Sequence, residues 1–203
     1  MELSRDAIVR LLEELDHLME IEDCLAVDWL VCGGAAMGLQ ELQDRPTQDV
    51  DVLGCWDSEV LTLASIERFP DQLAACISRV AKGHPELAGM RHNWVNLGPK
   101  ALVQEGLPKG YASRLRELRV GNKLTLHLMG RLDLIALKLY AASDDFAPRQ
   151  EVHIGDLRTL APTFEELDFA VEWVRTLRDF EEKRLAVKHV LERLGYEDLA
   201  YYV

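Results

Sequence analysis

The chain lacks any uncharged apolar run of about 18 residues, so no segment is built to cross a bilayer as a helix. It also lacks a basic-then-apolar leader: MELSRDAIVRLLEELDH is acidic and amphipathic, unlike a secretory signal. The expectation is a cytoplasmic protein with no membrane partner. Cysteine is sparse, and Cys24, Cys32, Cys55 and Cys76 lie 8, 23 and 21 residues apart, giving no CxxC pair and no zinc-ligand spacing with the six histidines. They are expected to be reduced and mostly buried. Basic charge is scarce at first: residues 1–78 carry 4 Lys and Arg against 17 Asp and Glu. Residues 79–138 reverse this with 11 against 4, residues 139–203 carry 8 against 14, and the net charge is −12. Such a balance argues against a large nucleic-acid footprint, because backbone affinity comes from Lys and Arg neutralising phosphate. The positive middle leaves a local approach for a polyanion. Its block RLRELR (114–119) reads either as a solvated strand face or as a rim that attracts one. Internal repeats and low-complexity segments are absent too.

With 203 residues, 48% of them hydrophobic, the chain can form one compact unit with a real core. Ser4 followed by Ile8, Leu11, Leu12, Leu15, Leu18 and Met19 predicts a capped helix over 5–22. LAVDWLVC (25–32) predicts a strand ending at Gly33-Gly34; AAMGLQELQ predicts a helix, RPT breaks it, and QDVDVL predicts a strand over 48–53. Pro70 and Asp71 open a helix that Gly83 closes. RLRELRVGNKLTLHLMG reads as a hairpin whose Gly121-Asn122 turn suits positive φ angles. Helices are expected over 131–143, in EVHIGDLRTLA, over 164–178 behind a Thr163/Glu166 capping box, and in EEKRLAVKHVLERLG. The loop DDFAPRQ separates the first two, and residues 55–69 and 84–113 give no clear pattern. The order predicts an α/β (α+β) fold: a core over 1–130 and a helical C-terminal segment, 131–203, packed on it.

The chemistry is concentrated in VCGGAAMGLQELQDRPTQDVDVLG, Val31 to Gly54. On a strand, residues two apart share a face, so Asp49 and Asp51 project together while Val50 and Val52 enter the core. Adjacent carboxylates repel, and a divalent cation relieves the repulsion. Mg²⁺ in particular takes one or two carboxylates and completes its shell with phosphate oxygens and water. Gly33-Gly34 lets the first strand turn sharply and is expected to leave the amides of Ala35 and Ala36 exposed at a helix start, an anion site. If the two strands are neighbours, the turn holds a triphosphate and the acids hold its metal. The plainer alternative is a strand end and a half-exposed acidic edge.

The order GGxAxxL…RxTxDxD, with 14 residues between Gly34 and Asp49, resembles the nucleotidyltransferase (DNA polymerase β-like) superfamily, in its minimal AbiEii and MenT toxin branch. Gly33, Gly34, Ala36 (or Ala35), Leu39, Arg45, Thr47, Asp49 and Asp51 carry the likeness. It continues in LIALKLYAA, with Lys138 and Ala141, then Arg149, then GDLRTL with Asp156, Leu157 and Leu160. WVNLG (94–98) resembles a W-L-N-D phrase of a poorly characterised subfamily, with Leu97 where that phrase has an acid.

The resemblance implies a nucleotidyltransferase-like mixed sheet flanked by helices, and transfer of a nucleoside monophosphate from an NTP to a hydroxyl. Asp49 and Asp51 would bind Mg²⁺ or Mn²⁺. Gly33, Gly34 and Ala35 would hold phosphates, with Arg45, Thr47 and Arg149 as further phosphate or supporting groups. Lys138 would neutralise departing pyrophosphate, and Asp156 would orient or deprotonate the acceptor. On physical grounds Lys138, with Leu134, Ile135 and Ala141 around it, either snorkels to solvent or carries a functional charge. His127 reads as a core or edge histidine or as a neighbour of the site, while Trp94 and Tyr140 serve as core residues or base-stacking surfaces. The acceptor is an RNA end met over the basic 79–138 segment, a protein or a small molecule, and the toxin branch implies a toxin–antitoxin or phage-defence setting with a cognate antitoxin. The missing acid at Leu97 motivates a second expectation, a weakly catalytic binding protein that acts as antitoxin, scaffold or nucleotide sensor. A metal-dependent phosphatase or nuclease is a third, in which the glycine turn has no task.

Overall fold

The computed structural model describes residues 2–84, 87, 94–144 and 149–203. It forms two compact units, one of residues 1–104 and 112–129, the other of residues 105–111 and 130–203.

The first unit is a six-stranded mixed sheet with helices. Helix α1 (Arg5–Ile21) starts where Ser4 Oγ accepts the Ala7 amide at 3.2 Å, and it buries Ile8, Leu11, Leu12, Leu15, Leu18 and Met19 along one stripe. Strand β1 (Val27–Cys32) begins two residues later than predicted, since Leu25 is 87% exposed. Helix α2 (Gly33–Leu39) follows without a linker, then β2 (Val50–Asp57), β3 (Thr62–Ala64), α3 (Asp71–Gly83) and the two-residue β4 (Val95–Asn96). The short helix α4 (Ala101–Glu105) precedes β5 (Arg116–Arg119) and β6 (Leu124–Leu128). The path is β3-β2-β1-β6-β5, with β4 also pairing β2. β1 thus runs antiparallel to β2 and parallel to β6.

Strand β2 outlasts its predicted end at residue 53 because of a bulge. Leu30 pairs with Gly54 but Val31 with Val52, so Leu53 is an extra residue and the strand continues past the break in its alternation. The predicted hairpin is present, with β5 antiparallel to β6, but neither Gly121 nor Asn122 takes a positive φ. The glycine has another cause. A Cβ there would fall on the carboxylate of Asp16, which is itself buried on α1 and accepts the amides of Asn122, Lys123 and Leu124 at 3.2, 2.8 and 2.7 Å. The block 114–119 supplies β5, on the sheet edge, with Arg116, Glu117 and Arg119 exposed, which is the charged edge that discourages strand addition.

The four cysteines are free thiols, with Cys24, Cys32 and Cys76 buried and Cys55 half-buried. Cys24 and Cys76 sulfurs lie 3.8 Å apart, and burial pushes the Cys76 thiol up to about 11. A thiol so protonated is a packing group, not a nucleophile.

The second unit is helical: α5 (Arg131–Ala142), α6 (Gln150–Leu160), α7 (Phe164–Val174), α8 (Phe180–Leu194) and α9 (Glu197–Tyr202). α5 packs against α6, α7 and α8, and its run from Asp133 to Leu139 is entirely buried. The Thr163/Glu166 capping box is formed, and Glu166 also holds Arg131 through two bonds of 2.8 and 2.9 Å. In the loop DDFAPRQ, residues 145–148 lie outside the described residues. Helix α9 was not predicted; six residues are too few to display a helical period. Among the described residues no helix is long and apolar enough to cross a membrane.

Candidate functional site

The two strands of the central motif are neighbours. Cys32, the last residue of β1, pairs with Asp51 on β2, so the glycine turn begins beside the acid. Gly33 has φ 71°, a left-handed conformation that disfavours any side chain, and a Cβ built there would fall on Asp51 Oδ2. At Gly34 a Cβ would lie 2.5 Å from Thr47 Oγ1. Both glycines are therefore cradles into which residues of the RPTQDVD segment settle: Asp51 over Gly33, Thr47 over Gly34.

Thr47 is fixed from its other side, exchanging both backbone hydrogen bonds with Leu3 at the foot of α1, at 2.5 and 3.0 Å. Gln43 completes the frame by donating Nε2 to the Gly34 carbonyl at 3.3 Å. Arg45, half-buried, bonds the Pro46 carbonyl at 3.0 Å. With Ser4, Arg5, Gly34, Gln43 and Thr47 it lines a cleft of about 200 Å³ that does not include Asp49 or Asp51. One expectation fails here. Ala35 and Ala36 have no exposed surface, so their amides are not open to solvent; the accessible backbone of the turn is at Gly33. The cause is that α2 plugs into the core at once, burying Gly34 to Leu39.

Asp49 lies one residue before β2 and Asp51 inside it; both are half-buried, and Asp49 Oδ1 is enclosed by protein. Sequence reasoning missed the neighbour of Asp51. β4 runs parallel to the start of β2, with Val50 paired to Val95 and Asp51 to Asn96, and the Asn96 amide donates to Asp51 Oδ1 at 3.1 Å. The WVNLG phrase thus carries its contact on the asparagine, while Leu97 has left the strand and opens a 3-10 turn. Among the described residues no group of three or more His, Cys, Asp or Glu gathers in metal-binding array. The donor set that is present, two carboxylates with one seated in a glycine cradle, fits Mg²⁺ or Mn²⁺ of the kind that completes its shell with substrate oxygens.

His127 stands on β6 opposite Leu30, two residues along β1 from Cys32. It packs on Trp56 at 5.9 Å between ring centroids and lies 3.9 Å from Asp28. Burial pushes its pKa down, against the opposing pull of Asp28 and Glu117. Trp94 is a core residue: it is fully buried, and its indole N–H bonds the Ile77 carbonyl at 3.1 Å.

In the second unit Lys138 and Asp156 meet. Lys138 Nζ lies 2.6 Å from Asp156 Oδ2, with the side chains 7% and 1% exposed. The lysine does not snorkel to solvent; it is buried on α5 together with Leu134 and Ile135, and Asp156 on α6 supplies the counter-ion. Removing one partner would strand the other's charge in the interior, so the pair holds α5 to α6. Arg149 occupies the N-cap of α6, where its carbonyl accepts the Val152 and His153 amides. Tyr140 donates to Asp179 at 2.8 Å, and burial together with that bond raises its pKa.

Comparison with known proteins gives a match to a family model over residues 6–157, described as a nucleotidyltransferase of unknown function (DUF6036). No curated protein and no solved structure matches.

Proposed function

Because the matched residues make up most of the chain, which therefore belongs to that nucleotidyltransferase family, we propose that it is a metal-dependent enzyme moving a nucleoside monophosphate from an NTP to a hydroxyl. The observation that carries this reading is the convergence of the motif in one place: Asp51 seated over Gly33, Thr47 over Gly34, and the acid paired with the residue that begins the turn. Separate structural demands do not ask for a glycine pair to be filled by an acid and a threonine of one short segment in this way.

In the reaction the acceptor oxygen bonds to the α-phosphorus, the bond from that phosphorus to the bridging oxygen breaks, and pyrophosphate leaves. Asp49 and Asp51 would hold Mg²⁺ or Mn²⁺, which when bound supplies charge to the phosphate oxygens. The protein's contribution is mainly positioning and electrostatics. Gly33, Gly34 and Ala35 would form the turn on which the phosphates rest, with the Asp51 carboxylate seated against Gly33. Arg45 and Thr47 brace the acidic segment. The reading gives Lys138 the charge of the departing pyrophosphate and Arg149 a weaker electrostatic part. Asp156 holds the Lys138 ammonium in place; to receive the acceptor proton it would have to leave that ion pair and its buried position. The acceptor is an RNA end drawn by the basic 79–138 segment, a protein or a small molecule. A toxin–antitoxin or phage-defence setting, in the AbiEii and MenT manner, is tested by whether expression arrests growth and a neighbouring gene relieves it.

The decisive experiment incubates the chain with each labelled NTP, Mg²⁺ or Mn²⁺, and total RNA and protein. Label appears in one class of acceptor, and Asp49→Ala or Asp51→Ala lowers it by about 10²-fold or more. A second reading, a weakly catalytic nucleotide-binding protein, is favoured by one observation: the strand beside Asp51 offers the amide of Asn96 and no further acid. Metal-dependent NTP binding without transfer to any acceptor selects it. Absence of both binding and transfer rejects the two readings together.

A further inference from the structure

We propose that Asn96 is a positioning residue for Asp51, setting the carboxylate in the orientation that receives the cation; this rests on the nucleotidyltransferase reading above.

The argument begins with β4, a strand of two residues that owes its place to its anchors. Trp94 is sunk in the core and bonded to α3 through Ile77, and its carbonyl accepts the Val50 amide at 2.7 Å. These contacts fix the register in which Asn96 stands opposite Asp51. The side-chain amide is then specified at both ends. Its Oδ1 accepts the Gly98 amide at 2.7 Å, so the Nδ2 end must face Asp51, where it donates to Oδ1 at 3.1 Å. The other carboxylate oxygen, Oδ2, is the one that occupies the Gly33 cradle. Asp51 is therefore held at two points, by an amide on one oxygen and by a glycine surface at the other, and its plane is set before any cation arrives.

The residue type matters as much as the contact. Lysine or arginine at position 96 would also bond Asp51, but would cancel the charge that a cation needs. An acid would repel Asp51 in the empty site. Asparagine orients the carboxylate and leaves its charge intact, as neutral partners behind metal ligands do.

The test compares Mn²⁺ affinity by electron paramagnetic resonance in the full chain. Asn96→Ser keeps an acceptor near the Gly98 amide but is too short to reach Asp51; Asn96→Leu removes both bonds. Val95→Ala is the control, because it loosens the packing of β4 while leaving the Asn96 to Asp51 bond in place. The expected result is Mn²⁺ binding weakened about tenfold in both Asn96 variants and unchanged in Val95→Ala, which instead loses thermal stability. Because Asn96 is half-exposed, Asn96→Ser folds and carries the test if Asn96→Leu does not. Wild-type affinity in Asn96→Ser, or an equal loss in Val95→Ala, overturns the positioning role while the parent reading stands. A wild-type chain that binds neither Mn²⁺ nor NTP overturns both, and the two failures are told apart by that measurement.

Discussion

Gly33 sits in the left-handed region at φ 71°, directly beneath the Asp51 carboxylate, so two independent costs fall on any replacement. An alanine there meets a backbone penalty of about 1–2 kcal/mol and displaces the acid. Gly33→Ala is expected to lower the melting temperature by roughly 2–8 °C and to abolish metal-dependent NTP binding. Gly38→Ala is the contrast: a Cβ there has nothing within 4 Å, so helix propensity rises and binding persists. A second residue-scale effect concerns His127, whose folded pKa is pushed below the ordinary 6.5 by burial. Well above pH 6.5 neither the folded nor the unfolded chain carries this proton, and the full stability is present. As the pH falls, the unfolded chain protonates first and stability is lost until folded His127 also takes up its proton. His127→Gln is expected to flatten the part of the melting-temperature decline below about pH 7 that this residue causes, with the sign reversed for any residue whose pKa is raised.

Among the elements, the β5–β6 hairpin shows how a short connection is fixed from outside. Asp16 on α1 accepts three consecutive amides of the turn, so Asp16→Ala would leave the buried Leu124 donor and two partly buried ones unmet at a cost of about 1–3 kcal/mol. Chemical denaturation is expected to show that loss, and hydrogen exchange to show it first at Asn122, Lys123 and Leu124. The hairpin itself was legible in the sequence because its two runs alternate; the role of Gly121 was not, because the side chain it accommodates comes from residue 16. The same division holds elsewhere. Helices with a long apolar stripe, such as α1, were legible to within a residue, and so was the adjacency of glycines and acids in the chain. Hidden were β3 and β4, too short for a period, the Leu53 bulge, and Asn96, whose partner is 45 positions away. Lys138 was legible as an odd lysine, but its burial against Asp156 depends on how α5 meets α6.

At the scale of the whole chain, charge makes a demand that the motif alone does not. The glycine turn and both acids lie in residues 1–78, where 17 acidic side chains face 4 basic ones. On the proposed reading an NTP meets a segment rich in charge of its own sign, and a cation would have to bridge the two. Binding is therefore expected to be conditional on the metal: an NTP at about 100 times its Kd with Mg²⁺ or Mn²⁺ adds ~2.7 kcal/mol, or roughly 5–11 °C of melting temperature. The same NTP with chelator adds none, and Asp51→Asn removes the gain. Salt separates this site from a basic one. Screening weakens the attraction of the acids for the cation as well as their repulsion of the NTP, so raising NaCl from about 50 to about 500 mM is expected to change metal–NTP affinity only modestly. An RNA acceptor held by the 79–138 segment, with its 11 basic residues, must respond more strongly, losing affinity steeply as counterions return to the phosphates. Titrating the nucleotide and the RNA separately across that salt range thus distinguishes the two surfaces. A loss for the nucleotide as steep as that for RNA would mean that lysines and arginines, rather than the acid pair and its cation, dominate nucleotide binding.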